Sequence, residues 1–538
     1  MSPHHFHCSR TKSSTMPSSL LWTLGAAAAI CCPSYCRAHR DRACAEIAGQ
    51  YRAWHHLQDG SLERQMRWRI PGQLAFDCLR AMPFNATLAT AFINAYRPYL
   101  LFHSTLDVLP QAPPEYLSPS VDLLAGLAKI GSRAARGDYE SHFDFDSDLN
   151  RLLSLAHDGH LQIELCSQHL FLFTRDLPLV SISDDGLKLP SIYTFDDAQR
   201  RGAHHLDHVS PVVEINGMDA AYYLESHVAM WLNSHDPDAR YNHLFPSAAA
   251  HLSGAYAGGA WTRYKGKWPG TASSRLKFAN GSYTTVDTHA SWPAENGPML
   301  YENGPDLFTA ACLPTSVPPT DLKRIPTGTG YDTASPPHLY PEPDVEHSDT
   351  PVKVYYLASA RLSDVAVLQV PSFKARHGGS NYTTATEHIL QHAVTEGKTK
   401  LIIDLSDNGG GDVELGLNLF RLLFPGRDVY SATRFRAHDL VDVMGQIFSK
   451  HYSAPGQAPV DLTILPHDAV NPAQEHVFHS WATLYGPDEY RGTNMSRLYA
   501  LFHSSATSTC QTPASREDCS IAKSHPPFRP QDIIMVSQ

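Results

Sequence analysis

Two strings in this 538-residue sequence carry residue types able to do chemistry: His157-Asp158-Gly159-His160 and Asp404-Leu405-Ser406-Asp407-Asn408-Gly409-Gly410-Gly411-Asp412. An imidazole titrates near ~6.5, so a histidine fixed by an Asp-Gly turn can take and return a proton around neutrality. His160 is the candidate. Three consecutive glycines between a strand and a helix permit positive φ, and their N–H groups, with a helix N-terminus behind them, can stabilise a negative oxygen. Gly409 and Gly410 are the candidate donors. A nucleotide site does not fit, because Asp412-Val413-Glu414 follows the glycines where a phosphate loop needs Lys-Ser/Thr and a dinucleotide fingerprint needs a further spaced glycine. The spacing His157-x-x-His160 also permits a metal, completed by Asp158, Asp404 or Asp407, but no His-Glu-x-x-His is present. No metal and no cofactor are assigned. The plain alternatives are a packed or surface histidine, one among 31 in the chain, and a tight turn without chemistry.

The elements that must position these residues follow from periodicity. From Cys44 to Ala156 the pattern is mostly helical, closing on Leu149, Leu152, Leu153 and Ala156 at helical spacing. Leu161, Ile163 and Leu165 then alternate with polar residues and predict a half-buried strand. Val212-Val213-Glu214-Ile215 runs into Asn216-Gly217, a strand entering a hairpin turn. From Pro314 through Pro351 there are nine prolines and no apolar periodicity, which predicts a linker or long surface loop. Val365 to Val370 and Leu401 to Leu405 read as buried strands, with a helix around Ala385 to Val394 between them. A helix after the glycines places Val413, Leu417, Phe420 and Phe424 on one face. Strand, helix, strand, helix is an α/β pattern.

With 42% hydrophobic and 18% charged residues the chain has the composition of a folded protein, and its length suits roughly three domains. A formal charge of -11 with no basic stripe argues against nucleic-acid binding. The apolar run Leu20 to Cys32 falls short of the ~18 to 20 residues of a membrane span. Preceded by Arg10 and Lys12 and followed by small residues, it reads instead as a signal peptide over 1–38, cut near Ala38, and so predicts the secretory pathway. Six cysteines then remain, Cys44, Cys78, Cys166, Cys312, Cys510 and Cys519, an even number suited to disulfides. Only Cys510 with Cys519 is local enough to pair from sequence. Asn85, Asn280, Asn381 and Asn494 head glycosylation sequons.

An Asp-Gly-His followed far downstream by a buried strand ending in Asn-Gly-Gly-Gly resembles the tail-specific, or C-terminal-processing, serine peptidases, family forty-one of that class. The tricorn core and the chlamydial protease-like factor are relatives within it. Ser210 to Ala220 looks like part of a PDZ-like module, Val370-Pro371-Ser372-Phe373 like the first core strand and Leu401 to Gly411 like the glycine signature. The resemblance is closest to secreted fungal members, including those of ustiloxin- and phomopsin-type ribosomal-peptide toxin clusters. It implies a mixed α+β and α/β multidomain chain: a helical region over 39–165, a PDZ-like module with a β-rich segment over 166–312, a linker over 313–352 and a peptidase core over 353–538 with crotonase-like layering. It also implies His160 as general base and Gly409 and Gly410 as oxyanion donors, with a peptide or protein as substrate.

One part of the family pattern is not met. The family's nucleophilic serine follows a further apolar strand, and Phe528 to Gln538 looks like that strand, so the expectation is a core incomplete at its C-terminus with its nucleophile past residue 538. Ser406, Ser508 and Ser537 are poor substitutes, the last two by their place in a loop and at a chain end. The expected function is therefore secreted serine peptidase activity, with toxin-precursor processing as its role. The alternatives are a peptide-binding pseudo-peptidase and a metal-dependent hydrolase. Oligomeric state is not readable from the sequence.

Overall fold

The computed structural model describes residues 33–537 apart from 59–67, 206, 208, 253–257, 314–339, 376–380, 428–429, 453–464, 474 and 501–524. Residues 1–32 and the pair Cys510 and Cys519, with Ser508, lie outside the described residues.

Among the described residues five α-helices come first: Pro33–Gln58 (α1), Gly72–Arg80 (α2), Ala86–Leu100 (α3), Leu123–Arg136 (α4) and His142–Ser154 (α5). Their starts follow from side-chain caps that satisfy otherwise orphaned amides, Asn85 for α3, Asp122 for α4 and Ser141 for α5. Leu149, Leu153 and Ala156 are buried with Leu123, Leu127 and Ile130 in a core made by α3 to α5. The first two helices belong to a different core. Cys44 and Ile47 of α1, with Leu74 and Leu79 of α2, pack against Phe173, Trp261 and Leu276 of the following β-rich segment.

That segment holds Ile70–Pro71 (β1), Leu172–Thr174 (β2), Leu179–Ile182 (β3), Ser191–Thr194 (β4), Val212–Ile215 (β5), Met218–Asp219 (β6), Arg263–Lys265 (β7), Ser273–Phe278 (β8), Tyr283–Asp287 (β9) and His289–Ser291 (β10). Its sheets run β1-β10-β2-β7, β6-β5-β8-β9 and β3-β4. The predicted hairpin is present: Asn216 and Gly217 both take positive φ, as a two-residue turn between right-twisted strands requires. Helices Phe195–Gly202 (α6), Ala220–His227 (α7), Pro237–Asn242 (α8), Ala248–Leu252 (α9) and Gly304–Cys312 (α10) complete it.

The last unit is a five-stranded sheet in the order Val345–Glu346 (β11), Lys353–Tyr356 (β12), Val365–Gln369 (β13), Lys400–Asp404 (β14) and, after the short hairpin Asp488–Tyr490 (β15) and Thr493–Met495 (β16), Ile533–Val536 (β17). Strands β13, β14 and β17 are parallel, with Gln369, Asp404 and Val536 in register at their C-terminal ends. Tyr382–Thr395 (α11) and Val413–Leu423 (α12) cover the sheet, and Asp439–His451 (α13) and Trp481–Tyr485 (α14) pack against each other, Gly445 against the Trp481 ring, by a separate small core. Among the described residues strand β17 is the last in the sheet order, and Ile534, Met535 and Val536 are all exposed.

Three expectations need correction. Leu161 to Leu165 alternates in burial as a strand would, yet among the described residues it pairs with no strand: Leu161, Ile163 and Leu165 rest on the α3 to α5 core. The proline-rich stretch is not loop to its end, because Val345–Glu346 pairs with Val354 and Lys353 as the outermost strand. Helix α12 buries Leu419, Leu422 and Leu423, whereas Val413 and Phe420 are exposed. Apart from a polar stripe of Glu414, Asn418 and Arg421, apolar residues cover this helix, so its sequence period does not choose which part of the apolar face is buried.

Among the described residues two disulfides are formed, Cys44–Cys78 joining α1 to α2 and Cys166–Cys312 joining residues 166–169 to α10. Asn85, Asn280, Asn381 and Asn494 are all exposed. Among the described residues no helix is long and apolar enough to cross a membrane.

Candidate active site

The string after α5 is folded by its own polar groups. The Asp158 Oδ1 accepts the His160 N–H at 2.8 Å, closing a turn in which His157 takes the left-handed conformation at φ 49°. His157 points inward: its Nδ1 meets the Leu232 carbonyl at 2.8 Å and its ring is buried. Burial pushes its imidazole below the ordinary value, and the Leu232 contact opposes that only in part. His160 points the other way, with its side chain fully exposed and its Nδ1 3.9 Å from Asp158 Oδ1. The four-residue string thus supplies one structural imidazole and one accessible to a reactant.

His160 stands at a cleft of about 480 Å³ lined also by Asp158, Asn233, Ser234, His235 and His243. His243 carries the cleft to the glycine turn, because its Nε2 lies 3.3 Å from Asp407 Oδ1. The Ser247 hydroxyl donates to Asp407 Oδ2 and also accepts the Ala250 N–H at 3.2 Å. Burial alone would raise the Asp407 carboxyl, but the hydrogen bonds from His243 and Ser247 outweigh it and hold the group below the ordinary carboxylate value. Asp407 itself adopts φ 52°, a conformation that aspartate tolerates better than most residues.

The turn beyond Asp407 is tied to the loop after β13. Asn408 Nδ2 donates to the Val370 carbonyl at 2.7 Å, the Phe373 N–H donates to the Gly410 carbonyl at 2.9 Å and the Asp412 N–H donates to the Phe373 carbonyl at 2.8 Å. Gly411, at φ 144°, must be glycine, since a Cβ there would meet the Phe373 carbonyl carbon and oxygen at 2.4 Å. Gly409 is exposed, and among the described residues its N–H has no partner. The Gly410 N–H is engaged, donating to Asn408 Oδ1 at 2.7 Å. One of the two expected donors is therefore open and the other is held within the turn.

Residues 172–297 match a family model described as a CPAF-like PDZ domain, and residues 364–455 match the model of peptidase family S41. The chain carries an S41 peptidase domain. Peptidase S41 family protein phomP1' of Diaporthe leptostromiformis is 45% identical over 436 residues, covering 79% of this chain and 66% of that protein. Peptidase S41 family protein ustP of Aspergillus flavus is 42% identical over 286 residues, 52% of this chain and 59% of that protein. The chain thus spans less than two thirds of the length of these curated relatives. Among solved structures, mature CPAF complexed with lactacystin is similar at 13% identity and a TM-score of 0.40, over 68% of this chain and 65% of that one. The glycine turn lies inside the S41 match, and His243 and Ser247 lie inside the PDZ match, so the contacts to Asp407 join the two domains.

Two residues at this junction, His243 and Ser247, had no sequence signal: each stands in a short irregular stretch, and their partner is about 160 positions away. The S41 domain is held to the helical region as well. Arg436 makes a paired contact with Asp107, Nε to Oδ2 at 2.7 Å and Nη2 to Oδ1 at 2.9 Å, and its Nη1 donates to the Leu101 carbonyl.

The residues considered for a metal do not assemble. The His157 ring faces the Leu232 carbonyl, and Asp404 accepts from the Tyr340 hydroxyl at 2.5 Å and from the Ser406 N–H at 2.9 Å. Among the described residues, His157, His160, Asp158, Asp404 and Asp407 form no group of three convergent ligand atoms. Ser537 follows β17, and no described hydroxyl bonds the His160 ring.

Proposed function

We propose that this chain belongs to a serine peptidase of the secretory pathway that hydrolyses peptide bonds. In this reading His160 is the general base, oriented by the carboxylate of Asp158, and the Gly409 N–H is the first oxyanion donor. Gly410 contributes by sharing or releasing its bond to Asn408. The nucleophilic serine of this reading lies past residue 538. His160 takes the proton of the attacking hydroxyl, the turn amides hold the tetrahedral oxyanion, and the imidazolium returns the proton to the leaving amine. The observation that supports it is the single cleft shared by His160 and His243, with His243 in contact with the carboxylate two residues before Gly409. The two disulfides and the exposed sequons suit an oxidising compartment.

The substrate we propose is a precursor peptide of a fungal ribosomal-peptide toxin, on the strength of the similarity to phomP1' and ustP. A protein extended past residue 538 as in the relatives, incubated with a peptide library, is expected to cleave and to be labelled by a fluorophosphonate. His160→Ala should abolish both. Retention of cleavage by His160→Ala removes the assignment of the base. Deleting the gene in the producing fungus and finding no accumulated precursor removes the proposed substrate.

A second reading is peptide binding without cleavage, favoured by the engaged Gly410 N–H and by a His160 ring that no described hydroxyl approaches. It predicts peptide binding by the same protein with neither turnover nor fluorophosphonate labelling.

A further inference from the structure

A second cluster lies away from the cleft, where α5, residues 166–169 and α10 meet. Cys166 and Cys312 form a disulfide, and His142 approaches them so that its imidazole and both sulfurs fall within 4.8 Å of one another. His142 Nε2 is 3.2 Å from Cys166 Sγ and 3.4 Å from Asp146 Oδ1, while Asp146 Oδ2 is 3.8 Å from the same sulfur. These separations are close to the edges of a zinc tetrahedron. Bond lengths of ~2.3 Å to sulfur and ~2.0 to 2.1 Å to nitrogen and oxygen give edges of about 3.5 Å from sulfur to nitrogen or oxygen and about 3.4 Å from nitrogen to oxygen. The sulfur-to-sulfur edge is unmet because the two sulfurs are bonded, and Asp146, which meets His142 through Oδ1 and Cys166 through Oδ2, joins the three converging groups only by a turn of its carboxylate.

We infer that reduction of Cys166–Cys312 converts this cluster into a zinc site with His142, Asp146, Cys166 and Cys312 as ligands. Two equivalents of a small thiol such as glutathione supply the electron pair that opens the bond. They leave as their own disulfide, and Cys166 and Cys312 become thiols. Zinc binding then releases the two thiol protons, and the sulfurs part to about 3.8 Å, the remaining edge. The imidazole binds through Nε2 with its proton on Nδ1.

The surroundings are built for ligands rather than for an incidental contact. Asp146 is almost wholly buried, and its Oδ2 is fixed by the Ser167 N–H at 3.1 Å and the Ser167 hydroxyl at 2.6 Å. The His142 ring is set by the edge of Phe308, 4.9 Å away on α10. Such outer contacts orient ligands and raise metal affinity. A disulfide in an oxidising compartment and a zinc ion in a reducing one would hold the same three segments together.

The test is cobalt titration of the full chain, reduced with a phosphine under inert gas, in which thiolate-to-cobalt charge-transfer and tetrahedral d–d absorption report the site. Reduced wild type is expected to bind one cobalt displaceable by zinc, and the oxidised chain none at this site. His142→Ala should weaken binding at least tenfold and Cys166→Ser should remove the charge-transfer band, whereas Cys44→Ser, which removes the other described disulfide, should leave it. Near-ultraviolet circular dichroism is recorded on every sample. A reduced chain with a native spectrum and no band overturns the inference. So does an equal band in Cys166→Ser, and so does a reduced chain that loses its native spectrum and does not regain it with zinc.

Discussion

The contact between Asp407 and residues 243 to 247 is the physical link on which a shared cleft depends, and two substitutions separate its parts. Asp407→Asn keeps the shape and, because asparagine also tolerates left-handed φ, keeps the backbone at φ 52° unstrained. It removes only charge. A hydrogen bond to a charged group is worth about 1.5 to 3 kcal/mol, but the His243 side chain is 39% exposed, so solvent screens that half of the contact. The expected loss is about 1 kcal/mol. Asp407→Ala removes both acceptors, leaves the half-buried Ser247 hydroxyl without its acceptor and adds about 1 to 2 kcal/mol for left-handed alanine, so about 3 kcal/mol is expected. Urea unfolding at neutral pH, with slopes compared to exclude a change in the denatured state, measures both values. The sign with pH is fixed by the depressed carboxyl. Its contribution is fully present above the unfolded value near ~3.9 and is lost as pH falls through the lower folded value. The wild-type advantage over Asp407→Asn should therefore shrink only in strong acid. An alanine variant as stable as wild type would refute the link, and equal losses for both variants would refute the backbone part of the reasoning.

Gly411→Ala should cost about 3 kcal/mol or more, from a Cβ driven into the Phe373 backbone at positive φ, and should expose residues 405–411 to limited proteolysis. His160→Ala is expected to leave unfolding stability within about 0.5 kcal/mol, whereas His157→Ala should cost about 1 to 3 kcal/mol. Equal effects would mean that the two imidazoles do not divide between site and core as placed here. Burial lowers the Lys267 ammonium from 10.5 to about 8, a penalty of about 3 kcal/mol at most when it is charged. Since the unfolded chain holds that proton more tightly, wild-type stability should rise between about pH 8 and 10.5. Lys267→Met should flatten that rise in thermal melts.

What the sequence revealed was local. The Asn216-Gly217 hairpin and the strands β13 and β14 were legible because a turn type demands particular residues and a strand covered on both faces reads as an apolar run. The glycine string was legible for the same reason: at Gly411 a neighbouring backbone leaves no room for any side chain. Leu161 to Leu165 shows the limit of such reading. Alternation reports which side of a segment is buried, and that was right, but hydrogen-bond pairing needs a second strand whose position no local pattern encodes.

Helix α12 and the Asp407 contact fail to be legible for a related reason. When apolar residues cover most of a helix, the buried stripe is chosen by the sheet beneath it, so Leu419, Leu422 and Leu423 could not be told from Val413 and Phe420 in advance. His243 and Ser247 reach Asp407 across the boundary between the PDZ-like and S41 domains, and an interaction of that span leaves no spacing to detect. Yet the two kinds of information are coupled here. The turn that glycine made visible places Asp407 at positive φ, and in that conformation, beside the ties from Asn408 to Val370 and from Phe373 to Gly410, its carboxylate meets the neighbouring domain. A substitution that relaxes the turn should therefore release the domain contact even though it touches neither His243 nor Ser247. Gly411→Ala and Asp407→Ala together should cost less than the sum of their separate losses, the signature of one cooperative unit, whereas strict additivity would show the turn and the domain contact to be independent.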